Sequence, residues 1–433
     1  MSRGKPSSHN QSLMEPVAGN GLLDRRLFLT GGMVLLGIGS FAAGAVTSAG
    51  AAAPDDIPAW MQFPGAPFSG YGHPAKYEST VTRTNIQSQP GTTGSGASRT
   101  PLEALDGIIT PSGLHFERHH SGVPDIDPAK HRLLIHGLVK RPLIFTMEAL
   151  LRYPMVSHIH FLECSGNSWP MYRSTPPALT CGQVHGLVSC SEWTGVPLRI
   201  LLEEAGADLS AQWLLAEGAD AAAMSRSVPM AKALDDAFLA LYQNGERLRP
   251  ENGYPVRLFL PGYEGNMNVK WLRQIKVTPT PTMTREETSK YTDLQADGKA
   301  LMFTFPMEVK SVITRPSPGL TLQKPGLYEI AGLAWTGNGA IEKVEVSADG
   351  GRTWAEAALS APVLPRALTR FRMAWKWSGA PTVLKSRATD DTGAVQPTRD
   401  ALVAAHGANV FYHYNAIQAW QVEANGEVKN VYA

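Results

Sequence analysis

The spacing of hydrophobic and polar positions changes along the chain near residue 307. Before that point, short apolar runs of strand length alternate with amphipathic segments, and the runs 255–261 and 269–277 predict buried strands. Residues 193–202 are expected to run from a turn into a helix that stops at Gly206, because glycine accepts the left-handed conformation of a helix C-terminus. The strict strand–helix–strand rhythm of a doubly wound sheet is absent. The pattern therefore predicts a mixed α+β fold.

After residue 307 the apolar positions recur with the period of two that is typical of half-buried strands. Residues 371–377 place Phe, Met, Trp and Trp at every second position. The segment 344–354 runs from a strand through Asp349-Gly350-Gly351 into Thr353-Trp354, which predicts a hairpin. Several short strands of this kind predict an immunoglobulin-like β-sandwich.

The first 53 residues have the pattern of a targeting segment. Paired arginines, Arg25 and Arg26, precede Leu-Phe-Leu and an uncharged run that extends to Ala53. This matches a twin-arginine signal peptide, which exports proteins already folded to the periplasm. The alternative is a transmembrane anchor, since the run is long enough to span a bilayer. Its many Gly and Ala residues make it only mildly hydrophobic and favour a cleaved signal, which would leave no membrane span.

Residues 54–100 are rich in Pro, Gly, Ser and Thr, and we expect them to form an extended N-terminal arm. The formal net charge is +1, from 39 basic and 38 acidic residues, so the composition gives no sign of a nucleic-acid partner. No Cys-x-x-Cys-His motif occurs, so we expect no c-type haem in this chain. Of the three cysteines, Cys181 and Cys190 are nine residues apart, and a disulfide and two buried thiols are both compatible with that spacing.

The segment around Cys164 carries the candidate chemistry. An apolar strand with Phe161 and Leu162 ends at this cysteine, and Gly166 and Asn167 follow as turn-forming residues. The arrangement presents a thiol at the end of a buried strand. Taken alone, such a cysteine is more often an inert small hydrophobic residue than a ligand.

Several separated pieces occur in an order that carries more information than any one of them. They are Phe116–His120, Cys164–Asn167, Pro255–Arg257, Val269–Trp271 and Gly332–Trp354. Together they resemble the sulfite oxidase family of molybdenum enzymes over nearly all of the predicted mature chain. Within that family the lack of a haem domain, the export signal and the Glu163–Ser168 motif are most similar to the sulfane dehydrogenase molybdenum subunit (SoxC type).

The resemblance implies a molybdenum–molybdopterin cofactor and two domains. Residues 101–306 would form the central, mixed α/β molybdopterin-binding catalytic domain, and residues 307–433 the immunoglobulin-like dimerisation domain. Cys164 would be the one protein ligand to molybdenum, a soft thiolate that suits a metal cycling between oxidation states. Tyr291 matches the family's active-site tyrosine, whose hydroxyl takes part in proton-coupled electron transfer.

Further site residues follow from the same resemblance. Arg118 and His120 would bind the cofactor or contact the substrate pocket, and Arg118 would also serve in catalysis. Residues expected to bind the pterin and its phosphate are Asp220, Asn252, Arg257, Asn268, Val269 and Lys270. Basic residues suit this role because a phosphate accepts charge-assisted hydrogen bonds.

Three departures from the family's sulfite site bear on the substrate. Trp169 stands where the family has an arginine, a second arginine is replaced around Ala416-Ile417, and Asn252 replaces a histidine. Losing two arginines should weaken binding of a small free dianion, while a tryptophan fits a sulfur chain carried on a protein. Arg173 could replace the missing charge.

The sequence therefore predicts a periplasmic oxidoreductase that oxidises a sulfane sulfur held on a sulfur-carrier protein, within thiosulfate oxidation. Its two electrons would pass to a c-type, dihaem cytochrome subunit, and a homodimer of this chain would form the core of a heterotetramer. Alternatives are a dehydrogenase of free sulfite, a family reductase of sulfoxide or nitrate, and a periplasmic binding or scaffold protein.

Overall fold

The computed structural model describes residues 15–29, 58, 61–85, 93–295, 297–407 and 410–432. Within these ranges, no helix combines the length and the apolar character needed to cross a membrane. The uncharged run to Ala53, on which the predicted export signal depends, lies almost wholly outside the described residues.

The chain begins with a small hairpin and an exposed segment. Residues 15–29 contain β1 (Pro16–Ala18), β2 (Leu22–Leu23) and one helical turn, α1 (Arg26–Leu29). Residues 61–80 are exposed along their whole length. A three-stranded sheet follows, formed in the order β3-β4-β5 by β3 (Thr84–Asn85), β4 (Gly96–Arg99) and β5 (Glu117–His119). Because β4 pairs with β5, the end of the predicted arm is joined to the body after it, and the boundary at residue 100 stays a prediction.

The central body is built from short strands and short helices. Its strands are β6 (Arg132–Gly137), β7 (Leu143–Thr146), β8 (Val156–Glu163), β9 (Val188–Pro197), β10 (Trp213–Gly218), β11 (Ser225–Pro229), β12 (Phe238–Gln243), β13 (Glu246–Arg247), β14 (Arg257–Phe259), β15 (Leu272–Thr278), β16 (Asp293–Leu294) and β17 (Ala300–Leu301). Its α-helices are α2 (Met147–Leu150), α3 (Cys181–His185), α4 (Leu198–Ala205), α5 (Met230–Asp235) and α6 (Arg285–Thr288).

Two sheets organise this body. One has the order β11-β10-β15-β6-β7 and is parallel only between β15 and β6. The other has the order β13-β12-β9-β8, with β14 pairing with β12. Helix α4 ends where predicted, because Gly206 adopts φ of 63° and donates its N–H to Glu203 and Leu202 carbonyls. The strand predicted for 269–277 begins only at Leu272, since Trp271 has φ of 53° and interrupts the extended run.

The C-terminal domain is a sandwich of two sheets. Its elements are β18 (Lys310–Arg315), β19 (Gly326–Trp335), β20 (Ile341–Ser347), β21 (Ala355–Glu356), β22 (Ala358–Leu359), β23 (Thr369–Trp377), β24 (Thr382–Asp390), α7 (Arg399–His406), β25 (Ala419–Val422) and β26 (Val428–Val431). One sheet has the order β1-β2-β23-β19-β18, with β22 on β23, and the other has the order β21-β20-β24-β25-β26. The predicted α+β class and sandwich are confirmed.

The sandwich core explains the alternation seen in the sequence. Phe371, Met373 and Trp375 of β23 are fully buried and pack with Trp335 and Trp420. The same core cluster continues into the central body, where it includes residues of β8, α3 and β9. The two domains therefore share one hydrophobic interior next to the end of β8.

Candidate active site

Cys164 lies directly after β8, which pairs with β9 along its whole length to Glu163. Its N–H donates to the Leu187 carbonyl at 2.9 Å, and its carbonyl accepts from Asn167 N–H at 2.8 Å to close a turn. The positive φ in this loop belongs to Ser168, at 66°, and not to Gly166 or Asn167 as the turn pattern suggested. Gly166 instead allows a close approach, since a Cβ there would lie 3.1 Å from the Phe411 ring.

A buried polar network stabilises the loop that follows Cys164. Asn167 donates to Glu163 Oε1 at 2.8 Å and to the His185 carbonyl at 2.9 Å. Lys310 of β18 donates to the same Glu163 oxygen at 3.0 Å and to Ser168 Oγ at 2.9 Å. All of these groups are satisfied inside the protein, so the network holds the backbone around the cysteine in one arrangement.

A cleft with an empty volume of about 710 Å³ opens at the thiol. The ten residues singled out from the sequence all line it: Arg118, His120, Cys164, Asp220, Asn252, Arg257, Asn268, Val269, Lys270 and Tyr291. The structure thus brings together side chains from six separated segments, while their individual roles stay predictions.

Two basic residues of the cleft lining are the buried Arg257 and the half-buried Lys270. Arg257 is 4% exposed and donates to the Asn252 carbonyl at 2.9 Å and the Asn268 carbonyl at 2.8 Å, and its Nε has no hydrogen-bond partner. Lys270 Nζ donates to His119 Nδ1 at 2.7 Å and to the Glu251 carbonyl at 3.0 Å. Burial lowers the pKa of Arg257 to about 9. Burial, together with Arg257, lowers the pKa of Lys270 well below its usual value. Among the described residues, no carboxylate forms an ion pair with Arg257, and a buried cation in that state calls for an anion from outside.

Asp220 and Asn252, also expected to bind the cofactor, line the same cleft. Asp220 accepts from Met224 N–H at 3.2 Å and contributes to the charge around Lys270. Asn252 is buried and donates to Gln243 Oε1 at 2.8 Å. These bonds fix both side chains at the cleft wall.

Part of the cleft surrounds the thiol. Burial raises the pKa of Cys164, and Glu264 adds to this, while Arg118 and Arg99 act in the opposite direction. Arg99 is 4% exposed, and burial lowers its pKa to about 10. The sequence reasoning missed Arg99 and Glu264. Arg99 ends a segment rich in small polar residues, and nothing local distinguishes it from a surface arginine.

Tyr291 and His120 form a pair within the cleft. The Tyr291 hydroxyl and His120 Nε2 share a hydrogen bond of 2.8 Å. Tyr291 has φ of 54°, and its buried ring faces the guanidinium of Arg226 at 5.2 Å. Burial and the neighbouring Arg118 lower the pKa of His120 to about 3, so the imidazole is neutral at physiological pH. Burial raises the pKa of Tyr291, which keeps its hydroxyl protonated.

A series of aromatic contacts extends from Tyr291 to Trp169. Tyr291 lies 5.4 Å from Tyr412, which meets Phe411 edge-on at 5.1 Å. Phe411 in turn stacks on Trp169 at 5.4 Å, and the Arg173 guanidinium lies 4.8 Å from the centre of the Trp169 ring. Neither Trp169 nor Phe411 lines the cleft.

The second departure from the family's sulfite site, the replaced arginine around Ala416-Ile417, lies in a different environment. Ala416 is buried in a small apolar cluster with Met171, Tyr172 and Tyr414, away from the cleft lining. In this part of the chain, Phe411 and Tyr412 approach the site instead. Cys181 and Cys190 are also remote from it, as free and fully buried thiols.

Comparisons with known proteins agree with this geometry. The family model described as the oxidoreductase molybdopterin binding domain matches residues 120–286, and the Mo-co oxidoreductase dimerisation domain matches residues 302–419. Sulfite oxidase of Gallus gallus is 31% identical over 327 residues, which cover 69% of this chain and 70% of that protein. The chain belongs to the sulfite oxidase family.

Two other members of the sulfite oxidase family extend the comparison. NADH nitrate reductase of Solanum lycopersicum is 31% identical over 350 residues, but the match spans only 38% of that longer protein. The crystal structure of the sulfane dehydrogenase SoxCD from Paracoccus pantotrophus superimposes with a TM-score of 0.85 at 46% identity. That match covers 87% of this chain and 97% of the compared chain. The resemblance inferred from the ordered sequence pieces is confirmed.

The protein is therefore a molybdenum-dependent oxidoreductase acting on sulfur compounds, and its cofactor is molybdenum–molybdopterin. The site fits this group. Cys164 offers one soft donor at the cleft mouth, as a molybdenum centre with few protein ligands requires. The unpaired Nε of Arg257 and the neighbouring Lys270 suit a phosphate.

Proposed function

We propose that this chain is the molybdenum subunit of a periplasmic sulfane dehydrogenase. Its substrate is a sulfane sulfur bound to a carrier protein, within thiosulfate oxidation, and its electrons leave to a c-type, dihaem cytochrome subunit. The observation that carries the proposal is the 46% identity with the sulfane dehydrogenase SoxCD over 97% of the compared chain.

In this proposal, these two basic residues of the cleft bind and orient the cofactor. Arg257 and Lys270 hold the terminal phosphate, with Asn268 and Val269 on the same loop. Asn252 fixes the Arg257 side chain through its carbonyl, and Asp220, in the loop after β10, would bind the pterin. The Cys164 thiolate binds the metal, and Arg118 and Arg99 favour that charge state. The bound molybdenum supplies oxygen-atom transfer and accepts two electrons.

Tyr291 and His120 position a proton beside the reacting sulfur. Because the imidazole of His120 is neutral, it acts as a hydrogen-bond partner that orients the Tyr291 hydroxyl into the cleft. With the cofactor bound, the Tyr291 hydroxyl would be available to donate a hydrogen bond at the reaction centre. Arg118 lies on the same side and stabilises negative charge that develops there.

The aromatic rings of Trp169 and Phe411 favour a substrate bound to a carrier protein over a free anion. Trp169 and Phe411 form an apolar surface next to the turn that follows Cys164, outside the cleft lining, where an arginine would attract sulfite. An extended peptide can pack on such rings, whereas a small dianion gains little from them. Free sulfite is the second candidate, because Arg118 and Arg99 still place two positive charges near the thiol. Arg173 stacks on Trp169 and adds a third charge farther out.

The assembly follows from the same resemblance. We propose that the C-terminal sandwich pairs two copies of the chain, since it matches the dimerisation-domain model, and that two cytochrome subunits complete a heterotetramer. The predicted twin-arginine segment would deliver the folded, cofactor-loaded chain to the periplasm.

Metal content and substrate choice test the proposal. Protein purified from a host that makes molybdopterin should contain about one molybdenum per chain, and Cys164→Ser should lose activity. Matched assays should then compare sulfane-loaded carrier protein with free sulfite, using a c-type cytochrome as electron acceptor. Faster turnover of the loaded carrier supports the proposal. Higher kcat/KM for sulfite would overturn it in favour of a sulfite dehydrogenase.

A further inference from the structure

The hairpin at the N-terminus is docked on the C-terminal sandwich, far from the cleft in sequence and in function. Strand β2 pairs with β23 at Leu22 and Trp375, so the hairpin extends that sheet by two strands. Leu22 and Leu23 are fully buried, and Leu22 belongs to the main core cluster of the sandwich. A leader that merely trailed from the body would not place two leucines inside another domain.

Specific polar contacts accompany the two leucines. Asn20 donates from Nδ2 to the Ala348 carbonyl at 2.8 Å and to Thr382 Oγ1 at 2.9 Å. Its own carbonyl accepts from the Trp375 indole at 2.8 Å. One side chain and its backbone thus join the edges of both sheets. An apolar residue of the same size could not form the bonds of the Asn20 side chain, so the site favours asparagine at this position.

The glycines on either side of Asn20 are needed for this fit. A Cβ on Gly19 would lie 2.2 Å from Asp349 Oδ2, and one on Gly21 would lie 2.2 Å from the Lys376 carbonyl. Gly21 also has φ of 87°, which an L side chain rarely adopts. The segment Gly-Asn-Gly-Leu-Leu is therefore complementary in shape to the surface that receives it.

The surface that contacts the hairpin includes the Asp349-Gly350-Gly351 turn. This turn has no role in the proposed catalysis. Asp349 accepts from Thr353 N–H at 2.9 Å and from Thr353 Oγ1 at 2.6 Å. Thr353 Oγ1 then accepts from Gly19 N–H at 2.8 Å. The hydrogen bonds within the turn therefore fix Thr353 in the position that accepts the Gly19 N–H.

The arginine pair follows immediately after the docked residues. Arg25 forms an ion pair with Glu356 of β21, and Arg26 bonds to Asp24 at 2.6 Å. Their side chains keep 41% and 53% of their surface exposed, so the pair remains accessible while the residues before it are anchored.

We propose that the β23 edge of the sandwich is a binding site for the chain's own leader, residues 16–25, which docks as an added hairpin. The site is assembled from Ala348, Thr353, Trp375 and Thr382, which lie on separate strands and turns. Only the folded domain brings them together, so the leader is captured only after the C-terminal domain has folded. The role of the leader in export rests on the proposed function, whereas the docking does not.

The test uses the full chain with a protease site placed at 49–53, outside the described residues. After cleavage under native conditions, the leader fragment should co-elute with the body on size exclusion and separate only on denaturation. In the uncut chain, the amides of residues 19–23 should show slowed hydrogen exchange. Leu22→Asp should release the fragment at least roughly tenfold faster, because it places a charge in the core. Val17→Asp is the matched control, since Val17 is exposed in the same hairpin.

Asn20→Ala and Thr353→Val give a second, milder pair of variants on the two sides of the contact. Both should weaken retention without unfolding the body, which circular dichroism and the unfolding midpoint would check. Separation of the wild-type fragment on cleavage, or equal release from Leu22→Asp and Val17→Asp, would overturn the proposal. Retention is measured without any sulfur substrate, so its failure is distinguishable from failure of the proposed enzyme activity.

Discussion

The indole N–H of Trp335 donates a hydrogen bond of 2.6 Å to Oε2 of Glu163, the residue immediately before Cys164. Trp335 belongs to the C-terminal sandwich, and Glu163 ends strand β8 of the central body. Both side chains are almost completely buried, as is Lys310, which bonds to the other oxygen of the carboxylate. The sandwich thus fixes the position of the cysteine directly.

Replacing Glu163 by Gln should destabilise the protein by about 3–5 kcal/mol, because the Lys310 ammonium would stay buried without its counter-charge. Urea denaturation of the two proteins measures the difference. Glu342→Gln, an exposed position on β20, should change the unfolding free energy by less than about 0.5 kcal/mol. An unchanged midpoint in Glu163→Gln would show that the network does not hold the two domains together.

Arg257→Met separates cofactor binding from stability. We expect molybdenum and pterin contents to fall roughly tenfold or more, because a charge-assisted bond to the phosphate is lost. The cofactor-free chain should become no less stable, since a buried cation without a carboxylate is removed. Arg273→Met on β15 is the control: Arg273 is 54% exposed and pairs with Glu217. Full cofactor content in Arg257→Met would contradict a phosphate site here.

Tyr291→Phe removes one hydroxyl and keeps the ring that packs near Tyr412. Turnover should fall by roughly 10²–10⁴-fold if this hydroxyl handles a proton in the rate-limiting step. Molybdenum content should stay at the wild-type level, because no predicted ligand changes. Tyr263→Phe, which lies outside the cleft, should leave kcat unaltered. A Tyr291→Phe enzyme with normal kcat would limit this residue to a packing role.

Trp169→Arg should shift the substrate preference toward free sulfite. An added charge-assisted contact is worth about 1.5–3 kcal/mol, so kcat/KM for sulfite should rise roughly ten- to hundredfold. Activity on the loaded carrier should fall, because the stack on Phe411 is lost. Trp169→Phe keeps an aromatic ring without a charge and should leave sulfite activity as it is. Equal substrate ratios in all three enzymes would mean that position 169 does not select the substrate.

A buried pair predicts a pH-dependent part of the stability. Burial of the His413 imidazole disfavours its charge, but Glu264, 3.6 Å away, outweighs this and raises the pKa of His413. Although burial alone would raise the pKa of Glu264, His413 and Arg226 lower it. The His413 contribution is therefore complete below its unfolded pKa and is lost as pH rises through its folded pKa. The Glu264 contribution is lost as pH falls through its own folded pKa.

Replacing His413 by Gln should thus cost the most stability in mildly acidic solution and progressively less as the pH increases toward 9. Urea denaturation across that range measures it. Thr304→Val removes the neighbouring hydroxyl, 3.3 Å from His413, and leaves the charged pair in place. That control should keep the wild-type pH slope. A His413→Gln difference that grows with pH would have the wrong sign for this pair.

Local patterns were sufficient for much of this structure. The period of two in 371–377 identified the inward face of β23, and Gly206 marked the end of α4, because both depend on neighbours within a few residues. The ordered motifs also identified ten residues that line one cleft. Arg99 was missed, because its approach to Cys164 depends on contacts with Gly186, next to the Leu187 carbonyl that bonds Cys164, and not on its sequence neighbours.

By itself, the sequence determined the α+β class, the sandwich, the family and the thiol around which the site is built. Only the tertiary structure decided that Trp335 holds Glu163 across 172 residues, that Phe411 covers Gly166, and that Leu22 enters the core of a distant domain. Hydrophobic periodicity reports which face of an element is buried, but not which other face covers it. That choice depends on shape and polar complementarity between segments far apart in the chain, and these contacts exist only once the chain has folded.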